Sequence, residues 1–331
     1  MKRILTLTLA VSLLALPLFT TSAFAEIDGA WTASVDDKRP DRLYVNITRG
    51  KHHNNGSTMR ISDFSLLTRA QIDAATMTPV RFEMRREAGT SVFEGTFRKG
   101  KGAGQFTFTA NRGYIEAVRA LGVPFDLNGK RKRKNWTEEE ELFTLAVHDV
   151  STAFIKSMQS VGFKVSLEKY LEMRIFDITP EYVREMRSLG FAKIDSDELV
   201  ASKIHKVTPD YVRRMRAAGW DLSLDELQSS SIHGATPEFA AEMRKLGYKL
   251  DFDDLVSFRI HKVTAAFINE LAQLGYKNID AEDLVSMRIH RVTPQFIREV
   301  QAAGYKNVPV DKLVNMRIHK IDAEYLKKMG S

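Results

Sequence analysis

Histidine is the residue type in this sequence whose spacing first suggests chemistry. Six of the eight histidines recur at one position of a repeated pattern, usually directly after an isoleucine or valine. They are His148, His205, His233, His261, His290 and His319. A neutral imidazole binds zinc, and imidazole is the side chain that changes charge near neutral pH. The sequence therefore raises two hypotheses, a metal array and a pH-sensitive assembly.

The spacing of the repeat argues against a shared metal ion. Stacked helices lie about 8–10 Å apart, whereas zinc holds its nitrogen ligands at about 2.0–2.1 Å. One unit also replaces the histidine with Phe176. We therefore expect no metal site. We interpret the histidine as a joint at the end of a helix, where it bonds exposed carbonyls. Direct contact with a ligand is the alternative.

Arginine accompanies the histidine two residues before it. The arginines are Arg174, Arg259, Arg288 and Arg317, with Lys203 in the equivalent place. If they point outward, they form a basic stripe for an acidic peptide, a phosphate-bearing polymer or a lipid headgroup. Otherwise they pair with acids of the next unit, such as Asp283 or Asp311. The candidate binding residues are Arg259, His261, Arg288, His290, Arg317 and His319.

Both sets of residues belong to a tandem repeat. The motif reads IHKVT at residues 204 and 260 and IHRVT at 289, and successive copies start 28 or 29 residues apart. A second marker keeps the same interval, a glycine followed by an aromatic residue. These glycines are Gly162, Gly190, Gly219, Gly247, Gly275 and Gly304. Two markers in phase predict about seven helical units, preceded by a divergent first copy near 113–126.

Each unit is predicted to contain two short helices. Thr208-Pro209 supplies an N-cap and a first-turn proline, and Gly219 ends the helix so that Trp220 can reach Met215. The second helix starts at an acid or a serine. Its predicted buried residues are Leu199, Val200 and Ile204 in one unit and Leu284, Val285 and Ile289 in another. Helices this short are marginal alone, so neighbouring hairpins must stack as a solenoid.

Residues 26–110 have a different pattern. Five strand-like runs occur there, at 31–35, 43–47, 80–84, 92–98 and 105–109. The last two flank the glycine-rich segment KGKGAG, which is typical of a hairpin loop and not of a nucleotide-binding loop. We predict an α+β protein, with a small antiparallel β domain (26–110) docked on an α-helical-hairpin solenoid (111–331).

The first 25 residues have the features of a signal peptide. Lys2 and Arg3 precede an apolar run at 4–19, and the segment ends in Ala-Phe-Ala with predicted cleavage after Ala25. The mature chain would then be periplasmic or secreted, with no membrane span. The sequence contains no cysteine, so disulfides, thiol catalysis and thiolate metal sites are excluded.

Charge and motif content restrict the function further. The formal charge falls from +7 to +5 once Lys2 and Arg3 are removed, which is too mild to favour nucleic acid as a partner. The run KRKRK begins at Lys130 and ends at Lys134. Such a run is most often a solvated loop, and weak contact with an anionic surface is the alternative. No known catalytic or cofactor-binding motif is present, so we predict no catalytic residues and no cofactor.

The repeat motif resembles one found in uncharacterised exported or membrane-attached bacterial proteins. The similarity lies in R-I-H-K-V-T-P followed by M-R-x-x-G-Y, covers residues 111–331, and extends to FEGTFRKGKGAGQFTFTAN at 93–111. Some of those proteins carry the repeat beside BlaR-type antirepressor metallopeptidase domains. The zinc-binding helix and membrane spans of that peptidase are missing here. The resemblance therefore implies an extracytoplasmic sensor or interaction module and no peptidase activity.

These observations favour a non-enzymatic binding or scaffold protein of the cell envelope, whose repeat surface holds a protein or peptide partner. The alternative is an enzyme, or an accessory to one, that acts on envelope polymer from the β domain. A deep polar pocket within 26–110 would support the alternative, and a filled apolar core would count against it.

Overall fold

The computed structural model describes residues 26–49, 53–127 and 137–329. A six-stranded antiparallel sheet comes first and a series of helices follows, so the predicted α+β class and the helical repeat are confirmed. The chain divides into two compact units, one ending at Thr152 and the other beginning at Ala153.

The sheet of the first unit has the strand order β3-β2-β1-β6-β5-β4. Its strands are β1 (Ile27–Asp36), β2 (Arg39–Arg49), β3 (His53–Arg60), β4 (Thr78–Arg86), β5 (Gly89–Arg98) and β6 (Lys101–Ala110). A 3-10 turn (Ile61–Asp63) and helix α1 (Arg69–Asp73) lie between β3 and β4. All five predicted strand runs fall within strands. Only β3 was missed, because HNNGSTMR lacks alternating apolar residues.

One face of this sheet is filled by aromatic rings. Trp31, Phe82, Phe93 and Phe97 are each at most 1% exposed. The ring centroids of Phe82 and Phe93 lie 4.9 Å apart, and those of Trp31 and Phe82 lie 5.3 Å apart. Rings at these separations form a packed apolar core on this face of the sheet.

Glycines allow β5 and β6 to approach each other closely under Trp31. Gly95 pairs with Gly104 across the two strands. A Cβ added to Gly104 would lie 1.9 Å from the Glu94 carbonyl oxygen. The same oxygen accepts a 3.2 Å hydrogen bond from the Trp31 indole nitrogen. Only glycine fits at this crossing, since any side chain would collide with backbone atoms.

Two helices complete the first unit, α2 (Gly113–Ala120) and α3 (Glu138–Val147). The Phe143 ring of α3 lies 5.5 Å from Phe106 and 5.1 Å from Phe108, both on β6. The Tyr114 hydroxyl of α2 donates a hydrogen bond to the Val150 carbonyl, and burial raises the pKa of this phenol. The last strand ends at Ala110, whereas the first compact unit continues to Thr152 and includes α3, which packs on the sheet.

The rest of the chain alternates two kinds of helix, here called A and B. The A helices are α4 (Thr152–Ser160), α6 (Pro180–Ser188), α8 (Pro209–Ala217), α10 (Pro237–Lys245), α12 (Ala265–Gln273), α14 (Pro294–Ala302) and α16 (Ala323–Met329). The B helices are α5 (Leu167–Ile175), α7 (Ser196–Ile204), α9 (Leu224–His233), α11 (Phe252–Ile260), α13 (Ala281–Ile289) and α15 (Val310–Ile318). One A helix and the following B helix form a unit.

The A helices start and end as the sequence predicts. The Thr208 hydroxyl accepts a hydrogen bond from the Tyr211 amide, and Pro209 occupies the first turn. At the other end Gly219 has a φ of +97°, and the Trp220 amide donates to the Met215 carbonyl at 3.1 Å. This left-handed ending satisfies carbonyls that the helix itself leaves unpaired.

The B helices end in the same way but without glycine in most units. His261 follows α11, and the next residue, Lys262, is left-handed with a φ of +57°. The Val263 amide then donates to the Phe258 carbonyl at 2.8 Å. Gly234 takes the left-handed position in a single described unit, which shows that glycine satisfies this turn.

Replacing Lys262 with glycine is expected to raise the free energy of unfolding by about 1 kcal/mol, since a side chain disfavours the left-handed conformation. Chemical denaturation followed by circular dichroism measures the change. The matched control is Lys262→Ala, which removes the charge and keeps the side-chain strain. Equal stabilisation by both substitutions would contradict the backbone explanation.

Candidate interaction surface

Five of the histidines, from His205 to His319, lie at the ends of B helices, and His148 follows α3 in the first unit. The His290 amide donates to the Ser286 carbonyl at 3.0 Å, and His290 is the residue that caps α13. His261 and His290 are half-buried, and His319 is exposed. Within residues 26–49, 53–127 and 137–329, no three His, Cys, Asp or Glu residues come close enough together to hold a metal ion.

The arginines make contacts that the sequence did not predict. Arg288 Nε donates to the His261 carbonyl of the preceding unit at 3.1 Å, and its guanidinium lies 4.9 Å from the Phe267 ring centroid. Arg259 repeats the arrangement on the His233 carbonyl at 3.3 Å. A guanidinium over an aromatic face is attracted by the ring quadrupole. These arginines thus connect successive units. The alternative hypothesis, that they pair with Asp283 or Asp311, is wrong for Arg259 and Arg288.

The last member of this set is held by its ring contact. The Arg317 guanidinium lies 5.0 Å from the Phe296 ring centroid, and its Nε is buried with no hydrogen-bond partner. The six candidate residues therefore lie together along the B-helix ends. Arg288 and Arg317 are partly buried and Arg259 is exposed. The carbonyls of His233 and His261 accept hydrogen bonds from Arg259 and Arg288. A binding role for the six stays a prediction.

The A helices carry equivalent contacts at their ends. Arg244 donates to the Ala218 carbonyl at 3.0 Å and lies over the ring of Trp220. Gln301 donates to the Leu274 carbonyl at 3.2 Å. Each acceptor is a carbonyl at the end of the preceding A helix, where helix carbonyls lack partners and attract cations and donors.

The tyrosine hydroxyls also serve the joints. Tyr182 donates to the Val207 carbonyl at 3.2 Å, and burial raises its pKa to about 12. Tyr276 donates to the Val308 carbonyl at 2.7 Å, and burial again raises its pKa. Phenols with raised pKa values and carbonyl partners remain protonated, so they act as structural donors.

Isoleucine of the repeat motif is exposed, which corrects the sequence prediction. Ile204 and Ile289 were expected in the core, but they are 51% and 52% exposed. The residues that face the core of α13 are Leu284 and Met287, both 0% exposed. Ile289 lies five positions after Leu284, and five helical steps of 100° place it about 140° away from that buried face.

The exposure recurs in every complete unit of the second compact body. We call these residues the isoleucine ladder, and they are between 48% and 57% exposed. They are Ile175, Ile204, Ile232, Ile260, Ile289 and Ile318. Consecutive B helices are in contact from α5 to α15. Because packed helices lie about 8–10 Å apart, the six isoleucines form an apolar stripe with about that spacing.

Three further rows lie along the isoleucine ladder. The valine row, four positions before the isoleucine and partly to fully buried, is Val200, Val256, Val285 and Val314. The acidic row, seven positions before and exposed, is Asp197, Asp225, Asp253, Glu282 and Asp311. The basic row, two positions after and exposed, is Lys206, Lys262, Arg291 and Lys320. At 100° per residue, the valine lies about 40° and the acid about 20° from the isoleucine around the helix, so all three share one face.

Clefts lie between neighbouring hairpin loops of this unit. One of about 530 Å³ is lined by residues that include Tyr276, Asp280 and Asp311. Asp254 lies in a neighbouring cleft. Its pKa is raised mainly by burial and, to a smaller extent, by the negative charges of Asp251 and Glu282.

The remaining sequence predictions fall outside the described residues. The signal peptide at 1–25 and the basic run at 130–134 are both in this category. Among the described residues, no helix combines the length and the apolar character that a membrane span requires. Neither a protein-family model, nor a curated protein, nor a solved structure matches this chain.

Proposed function

We propose that this chain is a non-enzymatic binding or scaffold module that holds a protein partner on the isoleucine ladder. The observation that carries the proposal is the half-exposed isoleucine at the same place in six successive units. Scattered apolar side chains are normal on a protein surface, but contiguous apolar patches of several hundred Å² are rare on monomers and mark interaction sites.

Folding of the repeat gives no reason for isoleucine at these positions. The core of each B helix is already supplied by residues such as Leu255 and Phe258, both 0% exposed. A half-exposed isoleucine adds little to the stability of the hairpin and makes the surface less soluble. Its recurrence therefore supports a role in contact with another molecule.

The filled face of the β-sheet supports the same function over an envelope-polymer enzyme. Trp31, Phe93 and Phe97 occupy the space that a substrate would need. We place the module in the periplasm or outside the cell, on the strength of the signal-peptide pattern at residues 1–25. A cysteine-free chain is compatible with that oxidising environment.

Site-specific photo-crosslinking in the native envelope tests the proposal. A photoreactive amino acid at Ile260 is expected to give a covalent adduct with a protein, because this side chain lies at the middle of the stripe. The matched control places the same group at the exposed Glu242 on helix α10, where no adduct is expected. Ile232→Lys together with Ile289→Lys should abolish the adduct at Ile260.

Two results would overturn the proposal. One is the absence of any protein adduct at Ile260. The other is an equal yield of adducts at Ile260 and Glu242, which would indicate random collision. Circular dichroism of the lysine variants confirms that they remain folded.

A further inference from the structure

The face that carries the isoleucine ladder is ordered by charge as well as by apolarity. In α13 the rows run along the helix as Glu282, Val285, Ile289 and then Arg291, just past the helix end. The acid is exposed, the valine is partly buried, and the arginine is exposed. A complete set of four recurs in α7, α11, α13 and α15, so acidic and basic residues form lines on opposite sides of the apolar stripe.

The positions of these rows have an internal symmetry. Counted from the acidic residue, valine is at position 3, isoleucine at 7 and the basic residue at 9. The midpoint of acid and base is position 4.5, and the midpoint of valine and isoleucine is position 5. The two midpoints therefore differ by only half a residue along the sequence.

A shared midpoint is the requirement for a face that fits a copy of itself. A two-fold axis that runs along the ladder, over this midpoint, exchanges the two sides of the face. Ile289 of one copy then lies over Val285 of the other, and Arg291 lies over Glu282. A two-fold axis across the ladder would instead place acid on acid, so charge selects the first arrangement.

Helix direction and repeat spacing favour the same arrangement. With the axis along the ladder, the B helices of the two copies cross antiparallel, and opposed macrodipoles attract. A second copy also has the same distance from unit to unit. Each contact made in one unit therefore recurs in the next without loss of register.

The backbone at the basic row gives independent support. Lys206, Lys262, Arg291 and Lys320 have φ values of +57° or +58°. Gly234 makes the same turn at φ +70° without a side chain. Asp177 makes the same turn at φ +52°, so the turn itself does not need a cation. A strained backbone position that carries one in four of the six units is typical of a functional constraint.

We propose that the partner on the isoleucine ladder is a second copy of this chain, related by a two-fold axis that runs along the ladder. Isoleucine packs on valine across the axis, and the basic row of each copy pairs with the acidic row of the other. This inference rests on the proposed function, since it names the protein that the same face holds.

Charge exchange between two variants of the full chain tests this arrangement. An acidic variant carries Lys262→Glu and Arg291→Glu, and a basic variant carries Asp253→Lys and Glu282→Lys. Light scattering after size-exclusion chromatography is expected to give twice the chain mass for the unsubstituted protein and one chain mass for each variant alone. An equimolar mixture of the two variants should return to twice the chain mass, because every facing pair is again opposite in sign.

The chain with all four substitutions is a further check and should also dimerise, since both of its rows are exchanged. Unchanged far-ultraviolet circular dichroism shows that a variant is folded. A monomeric unsubstituted chain, a mixture that stays monomeric, or a series of higher oligomers would each overturn the two-fold arrangement. A monomer whose Ile260 still crosslinks to a different protein overturns this inference alone, whereas the absence of all adducts overturns the proposed function as well.

Discussion

Replacement of Gly104 with alanine is expected to destabilise the β-sheet of the first unit by about 3 kcal/mol or more. The new Cβ would lie 1.9 Å from the Glu94 carbonyl oxygen and 2.6 Å from the Gly95 Cα. Both are backbone atoms, so β5 and β6 must separate to admit the methyl group. That separation also breaks the hydrogen bond from the Trp31 indole to Glu94.

Hydrogen–deuterium exchange measures this effect at the strands themselves. Amides of β5 and β6 should lose protection in the Gly104→Ala variant. The matched control is Ala103→Ser, one residue away on the exposed side of the same strand, where protection should stay unchanged. Equal protection in both variants would show that the two strands do not require glycine at their crossing.

Alanine substitutions at Leu284 and at Ile289, both in α13, are expected to have very different effects on stability. Leu284→Ala is expected to lower the free energy of unfolding by about 2–5 kcal/mol, as for other fully buried leucines. Ile289→Ala, five residues later, should lower it by less than about 1 kcal/mol, because the isoleucine is 52% exposed. The two side chains have the same number of carbon atoms, so they differ in surroundings and not in size.

Thermal or urea denaturation of the two variants provides the comparison, made in the Lys262→Glu, Arg291→Glu background so that loss of the proposed dimer contact does not contribute. The prediction is wrong if Ile289→Ala destabilises as much as Leu284→Ala, since the isoleucine would then belong to the core. In that case the apolar stripe, and the function proposed for it, would lose its basis.

Local signals made the architecture readable from the sequence. Thr293-Pro294 and Gly304-Tyr305 each specify a helix boundary through their own backbone chemistry, and they recur at a fixed interval. Such signals depend on a few neighbouring residues, so the paired helices of the repeat and their ends were predicted correctly, whereas the short helix α1 was not predicted. Strand β3 was missed because HNNGSTMR is held by pairing with β2 and carries little apolar pattern of its own.

The direction of Ile289 was predicted wrongly for a different reason. Apolar residues at Leu284, Val285 and Ile289 were all assigned to the core, although helical geometry allows only Leu284 and Met287 to face it fully. The offset of five residues was a signal in the sequence that could have revealed the exposed ladder. The prediction relied on the apolar character of the recurring isoleucine and not on its angular position around the helix.

The contacts of Arg288 could not be predicted in this way. The carbonyl of His261 and the ring of Phe267 come together at the arginine only after the hairpins stack. Solvent and carboxylates were the expected partners, because a guanidinium most often interacts with these. Every residue has a backbone carbonyl, so residue types do not indicate which carbonyl will accept a hydrogen bond.

The direction of these contacts along the chain bears on how the repeat assembles during synthesis. Arg288, Arg244 and Gln301 bond to carbonyls that lie 26 or 27 residues earlier in the chain. Synthesis proceeds from the N-terminus, so each acceptor leaves the ribosome before its donor. The arginine and glutamine donors of a newly made hairpin therefore find their acceptor carbonyls already in place. Hydroxyls such as that of Tyr276 gain their acceptor, the Val308 carbonyl, only when the next hairpin is added.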